Sequence, residues 1–337
     1  MAERAAIELV CPAGSLPALH AAVDNGADAV YLGFRDGMNA RNFPGLNFTA
    51  ADARSGIEYA HGHGVRAFVA LNVYPRPTRW AAATAAVDAA VAAGADALIL
   101  ADAGLLGYAA EKHPEVNRHL SVQASASNWR ALEFYRERFG IRRAVLPRVL
   151  SVVQVQRVIE RSAVEIEVFG FGSLCIMVEG RCALSAHVTG ESPNTHGVCS
   201  PAHAVRWQEL PSGRQARLNG VLIDEFAPGE AAGYPTLCKG RFEAHGSIMH
   251  ALEEPTSLNV LEILPQLLAA GVRAIKVEGR QRSPAYVAQV TRALRAALDL
   301  CQRDPAGYRP RLAHAAALER LTEGHSQTLG AYSRPWQ

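Results

Sequence analysis

Short apolar runs alternate with alanine-rich segments along most of this chain. The runs Ile7–Cys11, Ala29–Gly33, Ala67–Val73, Ala97–Ala101, Leu120–Gln123, Arg143–Leu146, Ile166–Phe171 and Ala274–Glu278 have the length of strands. Their aliphatic and β-branched content predicts strands buried on both faces, as in a parallel sheet. One phrase recurs: Gly26-Ala-Asp-Ala-Val-Tyr-Leu-Gly33 returns as Gly94-Ala-Asp-Ala-Leu-Ile-Leu-Ala101, and more loosely at Gly64–Ala70 and Gly271–Val277. In each copy an alanine-rich, helix-like segment stops at a glycine, the residue that takes the left-handed conformation closing a helix, and a strand follows.

Eight strand–helix units predict an α/β fold of TIM type, a (βα)8-like barrel, although a doubly wound open sheet shows similar local patterning. No GxGxxG follows the first strand, which counts against the open dinucleotide-binding sheet. The spacing is regular except between strands seven and eight, where a long insertion, about residues 173–270, intervenes. After strand eight, Ser283-Pro284 reads as an N-cap and first-turn proline. The helix it opens carries Val287, Val290, Leu294 and Leu298 on one face. The expected organisation is one barrel domain over 1–303 and a C-terminal tail over 304–337 packed on it.

Composition changes this picture little. Net charge is +2, with 34 basic against 32 acidic residues, which gives no general electrostatic case for nucleic acid or anionic lipid. The opening residues Met1–Ser15 lack the length and cleavage site of a secretory signal, and the alanine run Ala81–Ala101 is interrupted by Asp88, Gly94 and Asp96. The expectation is a cytoplasmic protein without an integral membrane segment.

Cysteine is used sparingly and unevenly. Cys175, Cys182, Cys199 and Cys238 all fall in the long insertion, with 6, 16 and 38 residues between them. In a reducing compartment such a group points to metal, as zinc, as an iron–sulfur cluster, or else to unrelated buried thiols. Zinc sites usually draw on close C-x2-4-C pairs and this chain has no CxxC. Long, unequal spacings suit a bulkier cluster held by several loops. Turn-rich neighbours such as Gly180-Arg181-Cys182 speak for loop ligands over core filler. Cys11 and Cys301 instead extend apolar faces and read as packing residues. His196 and His203 flank Cys199 and are candidates to replace a cysteine ligand. His61 and His63 precede strand three at the stability face, and Arg142, Arg143 and Arg206 read as solvated charges.

Glu167-Val-Phe-Gly-Phe-Gly-Ser-Leu-Cys175-Ile-Met-Val-Glu-Gly-Arg-Cys182-Ala-Leu-Ser185 resembles the signature of peptidase family U32. Further stretches are similar to its ubiquinone-biosynthesis branch: Leu9–Gly14, Ser121–Ser125, Thr189–Asn194, Gly233–Gly240, Ala251–Asn259, Lys276–Pro284, Thr328–Tyr332 and Trp336-Gln337. The resemblance implies a subunit of an oxygen-independent hydroxylase acting on the ring of a ubiquinone precursor. It implies a heterodimer with a UbiV-type paralogue, a UbiT-type lipid carrier, and a [4Fe-4S] cluster on Cys175, Cys182, Cys199 and Cys238. It also points to an organic hydroxyl donor, with prephenate the candidate.

Despite the family's name, no GxSxG elbow or HExxH is present, and a thiolate committed to iron is no nucleophile. An anionic donor calls for cations at the C-terminal mouth of the barrel. There Lys276 and Glu278 are the expected catalytic residues, and Gln123, Ser125 and Arg280 the expected substrate contacts. The bland reading makes Lys276 and Glu278 an interior ion pair and Arg280 a helix-start charge. Two alternatives remain: an RNA-base hydroxylase of the same family, although no basic patch with interleaved aromatics is evident, and a scaffold whose cluster only holds an interface.

Overall fold

In the computed structural model, which describes residues 6–334, eight parallel strands close into a barrel; Met1–Ala5 and Pro335–Gln337 lie outside the described residues. The strands are β1 (Glu8–Pro12), β2 (Ala29–Leu32), β3 (Arg66–Leu71), β4 (Ala97–Leu100), β5 (Asn117–Leu120), β6 (Arg143–Val145), β7 (Glu165–Ser173) and β8 (Ala274–Val277). Each pairs with the next. β8 closes the ring, with Lys276 opposite Phe169 of β7 and opposite Val10 of β1. The expected TIM-type α/β barrel is the fold.

Helices α1 (Leu16–Asp24), α2 (Ala50–Gly62), α3 (Trp80–Ala92), α4 (Ala103–Lys112), α5 (Trp129–Phe139), α6 (Val152–Ile159), α7 (Leu264–Ala270) and α8 (Pro284–Arg303) separate the strands and follow the last. Their starts are chemically marked. Ser15, Thr49, Asp102, Asn128, Ser151 and Ser283 each accept a backbone N–H of the first turn through the side chain. The apolar face of α8 is buried as the periodicity predicts, and Cys301 is buried with it.

Strand alternation sorts the core into two layers. Leu9, Cys11, Val30 and Leu32 pack outward against the helices, whereas Val10, Tyr31, Phe68 and Ile99 fill the barrel. Cys11 accepts a hydrogen bond from Thr291 Oγ1 at 3.2 Å, and burial pushes its thiol up to about 12, as befits a packing residue.

The fifth strand lies three residues earlier than expected. Asn117-Arg-His-Leu120 looks too polar for a barrel strand, but Arg118 caps the carbonyls of Val116 and Phe139, and His119 points inward, edge-on to Phe68. The apolar-looking Val122 belongs to a 3-10 turn, Val122–Ala124, whose first donor Ser121 caps.

Arg143 corrects a second expectation. It is not a solvated charge: only 1% of it is exposed, and it reaches Glu8 and Glu165 at 2.8 Å and Glu167 at 3.5 Å. Arg142 beside it is exposed. Glu167 also takes Lys276 at 2.8 Å, so the buried cations share a ladder of carboxylates.

Beyond β7 the chain leaves the barrel. It forms short helices Leu184–Thr189 and Pro193–His196, a three-stranded antiparallel sheet (Val205–Leu210, Gly213–Leu218, Val221–Phe226) and a hairpin of Arg241–Ala244 with Ser247–His250. It returns through Ser257–Asn259, which pairs antiparallel with β7, and α7 then packs beside α6 and α8. The tail closes over this return: Gln327–Thr328 pairs with Ser257–Leu258, and Tyr332 OH donates to the Phe169 carbonyl at 2.7 Å. Among the described residues no helix is long and apolar enough to cross a membrane.

Candidate metal centre and barrel chamber

Cys175, Cys182, Cys199 and Cys238 are all free thiols and line one cavity of about 110 Å³ over the C-terminal mouth of the barrel. Three segments of the insertion bring them there, Cys175 and Cys182 on the first, and each is anchored. The Cys175–Cys182 loop rests on the turn after β5, where Ser125 Oγ donates to the Glu179 carbonyl at 2.5 Å. The Cys199 loop follows Gly197, whose positive φ of 84° and lack of a side chain admit the Asn39 carbonyl. It is tied to the Cys238 loop by Tyr234, whose hydroxyl accepts from Ser200 N and donates to Ser200 O. Beside Cys238, the ammonium of Lys239 bridges Ser173 Oγ at 2.8 Å and Glu323 Oε2 at 2.7 Å.

The thiols are set around the walls of the chamber. Among the described residues no group of three or more His, Cys, Asp or Glu side chains is gathered closely enough for one ion. Burial pushes the Cys175 thiol up to about 12 and raises those of Cys199 and Cys238. Left to themselves these groups hold their protons, and ligation has to release them. Arg148 near Cys175 and Cys199, and Arg41 near Cys199, act the other way and favour thiolate charge. In donor type, four free thiols set around one chamber and backed by cations suit a bulky iron–sulfur cluster.

Below lies a second chamber of about 80 Å³, inside the barrel mouth. Lys276, Glu278, Arg280 and Gln123 all line it. Ser125 does not; its hydroxyl is spent on the Glu179 loop. Lys276 and Glu278 do not pair with each other. Lys276 binds Glu167 and lies 3.8 Å from the centre of the Tyr31 ring, with burial lowering its ammonium pKa. Glu278 faces Arg41 Nε at 3.4 Å and accepts the Ser173 N–H at 3.3 Å. Burial alone would raise its carboxyl, but Arg41 and Arg148 outweigh that and hold it below the usual range.

Arg280 is buried, donates from Nη2 to the Ala40 carbonyl at 3.0 Å, and leaves Nε and Nη1 without a protein partner. Burial lowers its pKa to about 10. Gly33 leaves room for it, since a β-carbon there would stand 2.5 Å from Nη1. Apolar wall is supplied by Tyr31, Ile99, Val145 and Phe169.

Arg41 and Arg148 are the residues the sequence reading missed. Arg41 follows β2 and Arg148 follows β6, both beyond the C-terminal ends of barrel strands, the rule that singled out Arg280. The histidines stand apart from the thiols. His196 meets Arg76 at 2.9 Å, His203 lies 3.7 Å from Glu191, and His61 binds Asp96 at 2.8 Å below β3.

This is a TIM-type barrel whose mouth carries a thiol chamber stacked on a cation-lined one. The chain belongs to peptidase family U32, which it matches over residues 14–328. It is similar to tRNA hydroxylation protein P of Escherichia coli (31% identity; 87% of this chain and 68% of that protein). The corresponding figures for tRNA hydroxylation protein P1 of Bacillus subtilis are 30%, 89% and 65%. A 23S rRNA 5-hydroxycytidine C2501 synthase of Escherichia coli is 29% identical over 87% of this chain and 39% of its own length. The chain thus spans about two thirds of the tRNA-hydroxylation relatives.

Proposed function

We propose that this chain is the iron–sulfur subunit of an oxygen-independent hydroxylase of UbiU type, acting on the ring of ubiquinone precursors. The observation that carries the reading is the stacking of two chambers. Four thiols surround one, and below it lies a pocket with an apolar wall, a guanidinium with two unpartnered nitrogens and a buried ammonium.

Cys175, Cys182, Cys199 and Cys238 would hold a [4Fe-4S] cluster. Bound to four protein thiolates it supplies one-electron transfer and leaves no open iron for substrate. In the lower chamber Arg280 would clamp the carboxylate of an organic hydroxyl donor, with prephenate the candidate. Tyr31 and Phe169 would cover its ring. Lys276, held by Glu167, would place positive charge beside the donor, and Glu278, kept anionic, would serve as proton acceptor. Gln123 lines both chambers and stands where the donor meets the thiol side.

A UbiV-type paralogue would complete the enzyme and a UbiT-type carrier would deliver the lipid. The motif stretches shared with the ubiquinone branch support this substrate. Names of the RNA-hydroxylating relatives favour a second reading, a base in RNA as the acceptor. The test is oxygen-free turnover by the chain with its paralogue, given prephenate and either a ubiquinone precursor or transfer RNA. Mass spectrometry then reports which acceptor gains oxygen. Hydroxylated RNA with an untouched quinone precursor would replace the first reading with the second.

A further inference from the structure

The two chambers share a wall. Arg41, Gln123, Arg148 and Glu179 line both. Its two cations are held very differently. Arg148 is 7% exposed and locked: Nε lies 2.7 Å from Glu179 Oε1, Nη1 donates to the Ser173 carbonyl at 2.6 Å, and the guanidinium sits 4.3 Å from the centre of the Phe169 ring. Arg41 has a fixed backbone and a loose side chain. Its N–H donates to Asn39 O, and its carbonyl accepts from Phe43 N and Asn47 Nδ2. Among the described residues, its guanidinium makes one hydrogen bond, the long 3.4 Å contact to Glu278. Its charge also bears on Cys199 across the wall.

A cation loosely held between two sites that each gather negative charge is drawn to the more negative one. When both carry extra charge it can serve only one of them, so the two events oppose each other. We infer that Arg41 couples the chambers, so that a carboxylate bound in the barrel and an electron added to the cysteine-held cluster weaken one another. The inference rests on the cluster proposed above and adds regulation of that same site. Arg41 is a positioning residue: it transfers nothing itself. The donor's carboxylate would bind best to the oxidised protein and be released as the cluster is reduced. Linkage makes the effect reciprocal, with one coupling energy appearing in both measurements.

The test uses the cluster-loaded protein and benzoate, an inert probe with an apolar ring and one carboxylate. Its affinity is measured on oxidised and dithionite-reduced protein, and the midpoint potential is titrated with and without it. Wild type is expected to bind benzoate roughly tenfold more weakly when reduced, which corresponds to a potential about 59 mV lower with benzoate bound. Arg41→Gln should abolish both effects, and Arg41→Lys, which keeps a mobile cation, should retain them. A loaded wild type whose potential ignores benzoate, or an Arg41→Gln protein that keeps the full shift, overturns the inference and leaves the cluster in place. A wild type that takes up no iron and sulfide overturns the cluster proposal, and the inference falls with it.

Discussion

The Cα of Gly180 packs directly against the main-chain oxygen of Gln123: a β-carbon built on Gly180 would stand 1.8 Å from that oxygen. The position also has a φ of 87°, where side chains are disfavoured. One glycine therefore sets the height of the Cys175–Cys182 loop above the barrel. Gly180→Ala is expected to lift that loop, so that the protein folds but retains less than half of its bound iron. Iron analysis of anaerobically purified protein, with circular dichroism as the folding control, checks this.

Arg148 and Glu179 form a buried pair, with Glu179 Oε2 still unpartnered. Removing one member of such a pair strands the other charge, at a cost of about 3–5 kcal/mol. Arg148→Met should lower the unfolding free energy by that order in urea titrations. The double variant Arg148→Met/Glu179→Gln should recover a large part of the loss.

Arg280 offers two unpaired N–H groups to the barrel chamber. A charge-assisted hydrogen bond is worth about 1.5–3 kcal/mol, so Arg280→Gln should weaken binding of a carboxylate probe by roughly tenfold to a hundredfold. Stability should change little, because one hydrogen bond, to the Ala40 carbonyl, and a distant approach to the Tyr31 ring at 5.7 Å are at stake. Calorimetry with benzoate reads the affinity directly.

His119 is buried inside the barrel, and its pKa is driven well below the ordinary value, first by burial and then by Arg143 and Lys276. The folded protein therefore keeps it neutral where the unfolded chain takes up a proton. In that window the unfolded state binds more protons, so stability falls as pH drops below about 6.5, by up to about 1.4 kcal/mol per unit. His119→Gln should flatten the slope of unfolding free energy between pH 6.5 and 5 relative to wild type.

Much of the fold is legible in the sequence because parallel barrel strands are apolar on both faces, and seven of the eight announce themselves that way. β5 escapes because Arg118 satisfies its polar groups on nearby carbonyls and His119 packs edge-on against Phe68 inside the barrel, which no apolar pattern records. The cysteine cluster is visible from residue type alone, whereas the partners of the chamber residues are not. Lys276 pairs with Glu167, and Glu278 with Arg41, across separations of 109 and 237 residues. Nothing local tells Ser125, which ties a loop, from Gln123, which lines the pocket. Arg143 reads as a surface charge beside Arg142 until the alternation of β6 turns it inward.

The proposed hydroxylase chemistry depends first on an iron–sulfur cluster held by the four thiols. The most direct measurement is anaerobic purification of wild type and Cys175→Ala, with iron, zinc and acid-labile sulfide quantified and the visible spectrum taken. About four irons and four sulfides per wild-type chain are expected, with a broad visible absorption lost in the variant. Stoichiometric zinc without sulfide, in protein never exposed to air, would rule the cluster out.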